Sequence, residues 1–135
     1  IKIQKKDFYI EKEINNLKTN YKNAGAVSSF IGYVRNTNKS KKVVSIYLEV
    51  YQDMAKKKLI EIINKAKKKW EILDCIIIHR HGKLIVGDKI VMVAVISKHR
   101  KDSLLSCQFI MNFLKKEAPF WKKEIYNKKS NWLKN

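Results

Sequence analysis

Three arginines stand in a chain that otherwise draws its positive charge from lysine: Arg35, Arg80 and Arg100. Arginine presents a planar fork that grips a carboxylate or phosphate through two parallel hydrogen bonds, which lysine cannot copy. A sequence that defaults to lysine and keeps arginine at three places marks them as candidate anion contacts. Structural ion pairs are the alternative. The histidines fall beside them: His79 and His81 flank Arg80, and His99 precedes Arg100. Two lysines complete the set. Lys115 and Lys122 bracket Pro119, the only proline, and a turn there would set two ammonium groups near each other. Crowding by like charge favours a neutral amine, which is the better base or nucleophile.

Other chemistries find no support in the residue pattern. There is no Gly-x-Ser-x-Gly elbow, no Walker loop and no Gly-x-Gly-x-x-Gly turn. Gly25 and Gly32 lie too far apart to cradle a phosphate. Cys75 and Cys107 are isolated, show no metal-ligand spacing and read as buried core thiols in a reduced, cytoplasmic setting. The acidic residues number only twelve, and none are paired as glycoside chemistry requires. Chemistry in this chain has to work with cations.

These groups are positioned by alternating elements. Residues 1–4 suit a short strand. Asp7 can cap a helix with Ile10, Ile14 and Leu17 on one face. Residues 24–34 read as a long strand ending at Arg35, residues 36–42 as a polar, mobile loop, and residues 43–51 as a second strand. The spacing then predicts a helix over 53–69 with Met54, Leu59, Ile62, Ile63 and Ala66 inward. An apolar strand follows at 72–79, broken at Gly82, with a turn at Gly87-Asp88 and a buried strand over 89–97. Asp102 or Ser103 caps a helix to about residue 116, with Leu104, Cys107, Met111 and Leu114 on one face. Pro119 bars its continuation. Phe120–Tyr126 reads as a closing strand, with Trp132 and Leu133 packing back. Strands follow one another without intervening helices at several points, which predicts an α+β fold with a mixed or antiparallel sheet.

The chain has 135 residues, the size of one domain, and its 45% apolar content can fill one core. No apolar run is long enough to span a bilayer, and Ile1–Lys6 has no signal-peptide core. The first residue is Ile1, so the chain reads as trimmed or processed. The net charge of +18 admits two readings. Heavy use of lysine, isoleucine and asparagine suits a compositional habit. The same charge would attract nucleic acid, anionic lipid or small phosphates. A basic nucleic-acid-binding module is therefore the rival to an enzyme, but no recognised nucleic-acid motif is present.

Five segments carry a specific resemblance. They are Gly25-Ala26-Val27 with Phe30, Gly32 and Val34-Arg35-Asn36; Leu48-Glu49-Val50-Tyr51 with Met54; His79-Arg80-His81-Gly82 with Gly87-Asp88; Ser97-Lys98-His99-Arg100; and Gln108 to Lys115 with Ala118-Pro119-Phe120-Trp121-Lys122-Lys123-Glu124. In order and spacing, over residues 22–124, they resemble the large, catalytic subunits of molybdopterin synthase, the MoaE family. The resemblance implies an α/β-hammerhead with an additional small antiparallel β-subdomain. It implies a homodimer of large subunits within a heterotetramer. Each would carry a small, ubiquitin-like (MoaD-like) sulfur-carrier subunit whose Gly-Gly end bears a thiocarboxylate. The reaction implied is sulfur transfer to cyclic pyranopterin monophosphate, forming the dithiolene of molybdopterin, with no cofactor or metal and no specific nucleic acid or membrane partner. Carried over residue by residue, the substrate pocket would comprise Tyr33, Val34, Arg35, His99, Arg100, Lys115, Lys122, Lys123 and Glu124. Lys115 would transfer protons and meet the thiocarboxylate, Lys122 would stabilise charge, and Arg80 would be structural or peripheral.

Overall fold

Residues 89–97 lack polar alternation, and a strand of that kind needs cover on both faces. The computed structural model describes residues 1–38, 41–117, 119–126 and 130–134. In chain order the elements are β1 (Lys2–Gln4), α1 (Ile10–Lys18), β2 (Ala26–Tyr33), β3 (Thr37–Asn38), β4 (Lys41–Lys42), β5 (Ser45–Val50) and α2 (Gln52–Lys69). Then come β6 (Ile72–Arg80), β7 (Gly82–Ile85), β8 (Lys89–Ser97), α3 (Arg100–Glu117), β9 (Phe120–Ile125) and β10 (Ser130–Lys134).

The apolar run is β8, which lies inside a four-stranded sheet of order β1-β6-β8-β2. Only the β1–β6 pair is parallel. On one face Met92 and Ala94 join Phe8 and Ile78, covered by Ile10, Ile14 and Leu17 of α1. On the other, Val91, Val93 and Val95 meet Ala55, Leu59 and Ala66 of α2 and Cys107, Ile110 and Leu114 of α3. Each of the valine, leucine, isoleucine, phenylalanine and methionine side chains contributes about 1.5–3 kcal/mol when removed from water. A second sheet, antiparallel throughout, has the order β10-β9-β5-β7. The α+β class expected from the sequence is the one observed.

Several local expectations are corrected. Asp7 does not cap α1, whose N-cap is Tyr9. Its carboxylate accepts from the Phe8 N–H and pairs with Lys89 at 3.3 Å and Arg80 at 3.7 Å. Arg80 also donates to the carbonyls of Lys5 and Lys89, so it fastens the N-terminal segment to β8. The stretch expected to be a loop at 36–42 contains the paired strands β3 and β4, with residues 39 and 40 outside the described residues. Met54 and Leu104 face solvent, and the small residues Ala55, Ser103 and Ser106 are buried in their stead. Small side chains let the helices approach the sheet closely, and a search for large apolar residues passes them over. The backbone of β10 pairs with β9, while the packing expected of the Trp132 and Leu133 side chains lies outside the described residues.

An aromatic stack is among the contacts that join the two sheets. His79 of β6 stacks on Phe120 of β9, with ring centroids 3.6 Å apart and planes 14° from parallel. The His79 Nδ1–H donates to the Arg80 carbonyl at 2.8 Å. Burial pushes the imidazole down to about 4 from 6.5, with the hydrogen bond opposing and His81 adding a little. The neutral ring is therefore the folded form. As pH falls through 6.5 the unfolded chain takes up a proton that the folded chain refuses until about 4. His79 thus costs stability as pH falls across that window and costs none above it. Denaturant titrations of wild type and His79→Phe are expected to diverge between those limits. The wild type should lose stability more steeply, and parallel curves would show that His79 does not titrate with unfolding.

Candidate active site

Strand β9 decides which groups enter the site. In register with β5, Phe120 lies opposite Val50, Lys122 opposite Leu48 and Glu124 opposite Ile46. The two-residue period places these side chains on one face, with Phe120 in the main core and Lys122 and Glu124 opposite Leu48 and Ile46 of the smaller one. Glu124 is 3% exposed. A carboxylate in such a bed needs a countercharge or donors. Lys122 Nζ stands 4.0 Å from Glu124 Oε2, and the Tyr126 hydroxyl donates to Oε1 at 2.7 Å. Lys122 is partly open to solvent, so its charge faces outward as well as toward Glu124.

The opposite wall comes from the end of β2. The register with β8 shifts between Gly32 and Tyr33, where the strand is irregular. Beyond it, the Val34 N–H donates to the Asp88 carbonyl, and the Gly87 N–H donates to the Val34 carbonyl. These bonds hold Val34 in the core and leave Tyr33 and Arg35 exposed on either side. The result is a recess of about 60 Å³ lined by Tyr33, Val34, Arg35, Thr37, Ile46, Ile90, Lys122 and Glu124. Two cations and one carboxylate around a small space favour an anionic ligand.

Five expected site residues therefore meet, drawn from segments nearly ninety positions apart in the chain: Tyr33, Val34, Arg35, Lys122 and Glu124. The other four do not. Lys123 points to the opposite face of β9, where its register partner is Tyr47. Lys115 is exposed on the last turn of α3 and does not line the recess, so the turn at Pro119 does not place both ammonium groups there. His99 and Arg100 are exposed at the other end of the same helix. Fifteen residues of α-helix separate Arg100 from Lys115 by about 22 Å. Thr37, Ile46 and Ile90 had not been expected. The strand alternation of 122, 124 and 126 was the available signal for Tyr126.

A larger cleft, of about 450 Å³, runs along Lys67–Leu73 and Lys98. Its lysines cluster at the carboxyl end of α2, where the helix dipole attracts cations, and the cleft contains none of the expected site residues.

Residues 3–117 match the family model described as MoaE protein. This chain belongs to the MoaE family. It is 44% identical to a protein of Ralstonia nicotianae named molybdopterin synthase catalytic subunit, over 98% of this chain and 76% of that one. The protein of the same name from Vibrio cholerae is 41% identical over 98% of this chain and 88% of its own. The crystal structure of molybdopterin synthase from Staphylococcus aureus superposes with a TM-score of 0.89 at 32% identity, covering 99% of this chain and 96% of that one. The MoaE fold thus accounts for the two four-stranded sheets and three helices described above.

One glycine positions the His99–Arg100 corner of this MoaE chain. The Gly25 N–H donates to the Ser97 carbonyl at 2.9 Å, and a Cβ at residue 25 would overlap the Lys98 carbonyl oxygen. The obstacle is backbone, so it cannot swing aside. Gly25→Ala is expected to destabilise the protein by about 1–3 kcal/mol, as overpacking does. Chemical denaturation measures this, and an unchanged midpoint would show that the corner gives way freely.

Proposed function

We infer that the chain is the catalytic subunit of a molybdopterin synthase, transferring sulfur from the C-terminal thiocarboxylate of a small ubiquitin-like subunit to cyclic pyranopterin monophosphate. The observation that carries this is the recess uniting Arg35, Lys122 and Glu124 in a chain of the MoaE family. The sulfur arrives on the partner's tail, so the large subunit needs no nucleophile of its own. This accords with Cys75 and Cys107, whose thiols burial raises to about 11. The chain's task is to bind, orient and manage charge. Arg35 offers a fork to the substrate phosphate, and Lys122 stabilises the charge that develops as the cyclic phosphate opens. Lys115 meets the incoming tail and transfers a proton. The setting is cytoplasmic, where free thiols stay reduced. No helix among the described residues is long and apolar enough to cross a membrane.

The length of α3 bears on assembly. If His99 and Arg100 serve the same substrate as Lys115 and Lys122, one chain cannot supply them all from the two ends of a single helix. A two-fold dimer of large subunits would lay the Arg100 end of one α3 near the Lys115 end of the other. Arg100 also begins a helix, where free N–H groups favour an anion. Each site would then be shared between two chains, with one small subunit docked at each end of the dimer.

Two measurements test this. Arg100→Ala and Lys122→Ala should each be nearly inactive in a dithiolene-forming assay with thiocarboxylated small subunit. Mixed and re-equilibrated in equal amounts, they should recover about a quarter of wild-type activity, because half the dimers are mixed and each mixed dimer has one intact site. No recovery would sink the shared site. The second concerns Lys115→Arg, which keeps the charge but cannot release a proton near neutral pH. Its turnover should fall with little change in substrate binding. Wild-type turnover would reduce Lys115 to an electrostatic contact.

A further inference from the structure

Glu124 is a buried carboxylate with both oxygens in use, one toward Lys122 and one held by Tyr126. The residue that holds it does not line the recess. Tyr126 follows β9, and its ring packs against the small core formed by Val34, Val43, Ile46, Leu48 and Leu84. Its hydroxyl donates to Glu124 Oε1 at 2.7 Å. Lys122, Glu124 and Tyr126 are thus successive same-face positions, from the site to the core.

We propose that Tyr126 is a positioning residue of the proposed sulfur-transfer site, fixing the Glu124 carboxylate and, through it, the Lys122 ammonium. The proposal rests on the reading of the recess given above. A carboxylate turns about its last bond with little resistance, so 4.0 Å to Lys122 is a geometry that must be held. The ring packs on the apolar core, and the hydroxyl makes a short, charge-assisted bond to the carboxylate. An aromatic ring has few rotatable bonds, so little freedom is lost in holding the hydroxyl in place. With the hydroxyl removed, the Glu124 carboxylate loses an anchor, and the Lys122 ammonium is held less closely beside it. The substrate still meets the same cations, so binding changes less than turnover.

Tyr126→Phe keeps the packing and removes only the donor. In the assembled enzyme, with thiocarboxylated small subunit and pterin precursor, kcat is expected to fall roughly tenfold with KM changed less than about twofold. The melting curve, read alongside, should stay cooperative. The deciding measurement is a double-mutant cycle with Glu124→Gln. If Tyr126 acts through Glu124, adding Tyr126→Phe to Glu124→Gln lowers kcat no further. Should Glu124→Gln lose activity while Tyr126→Phe turns over at the wild-type rate, or should the two losses multiply in full, the positioning role is overturned and the site reading stands. Wild-type activity in Glu124→Gln would overturn both. If Tyr126→Phe melts without cooperativity, Tyr126→His, which offers an N–H near the same place, decides: kcat no better than that of a Tyr126→Ala variant would overturn the role.

Discussion

Strand β8 has no solvent face, and most of the architecture follows from covering it. Val91, Val93 and Val95 need one set of helices and Met92 and Ala94 another. That demand sets α1 on one side of the sheet and α2 with α3 on the other. It also settles where the polar ends of the strand emerge. Ser97 is the last buried residue of β8, and the chain becomes cationic at once with Lys98 and Arg100. At the other end, Lys89 and Arg80 gather on Asp7 and tie the N-terminal segment down. The apolar interior and the charged rims are two outcomes of one constraint.

The second sheet is subject to a different rule. It is covered on one face, so its strands alternate, and alternation sends Lys122 and Glu124 inward while Trp121 and Lys123 face away. The His79–Phe120 stack links this sheet to the first at the start of β9. A large aromatic at Phe120 therefore fixes the register of the strand that carries the site. A polar ring serves as its partner because the Nδ1–H has a carbonyl to meet and burial keeps the ring uncharged.

How much of this was legible depends on the period of each signal. The long strands and all three helices could be read from apolar runs and helical spacing, because each repeats its message many times. The two-residue strands β3 and β4 carry no period to read. The inward faces of α2 and α3 were misjudged where small residues line them, since Ala55, Ser103 and Ser106 are chosen for size rather than hydropathy. At the site, residue type pointed to Arg35, Arg100, Lys115 and Lys122, but type says nothing about which end of a helix faces which partner. The separation of fifteen positions between Arg100 and Lys115 is plain in the sequence. It acquires meaning only once α3 is known to run unbroken between them.

The recess sets its electrostatics by including one acid among cations. Arg35 and Lys122 facing a small, partly apolar space would repel each other, and the repulsion grows as solvent is displaced. Glu124 reduces the local sum from two positive charges to one. A singly or doubly charged phosphate entering such a space meets attraction without having to hold apart two bare cations. The same acid would reject a second anion close by, so the recess has a charge capacity as well as a shape. On a protein of net charge +18, attraction alone cannot discriminate, because the whole surface attracts anions. Selectivity has to come from where positive charge is cancelled, and among the residues lining the recess only Glu124 can cancel it.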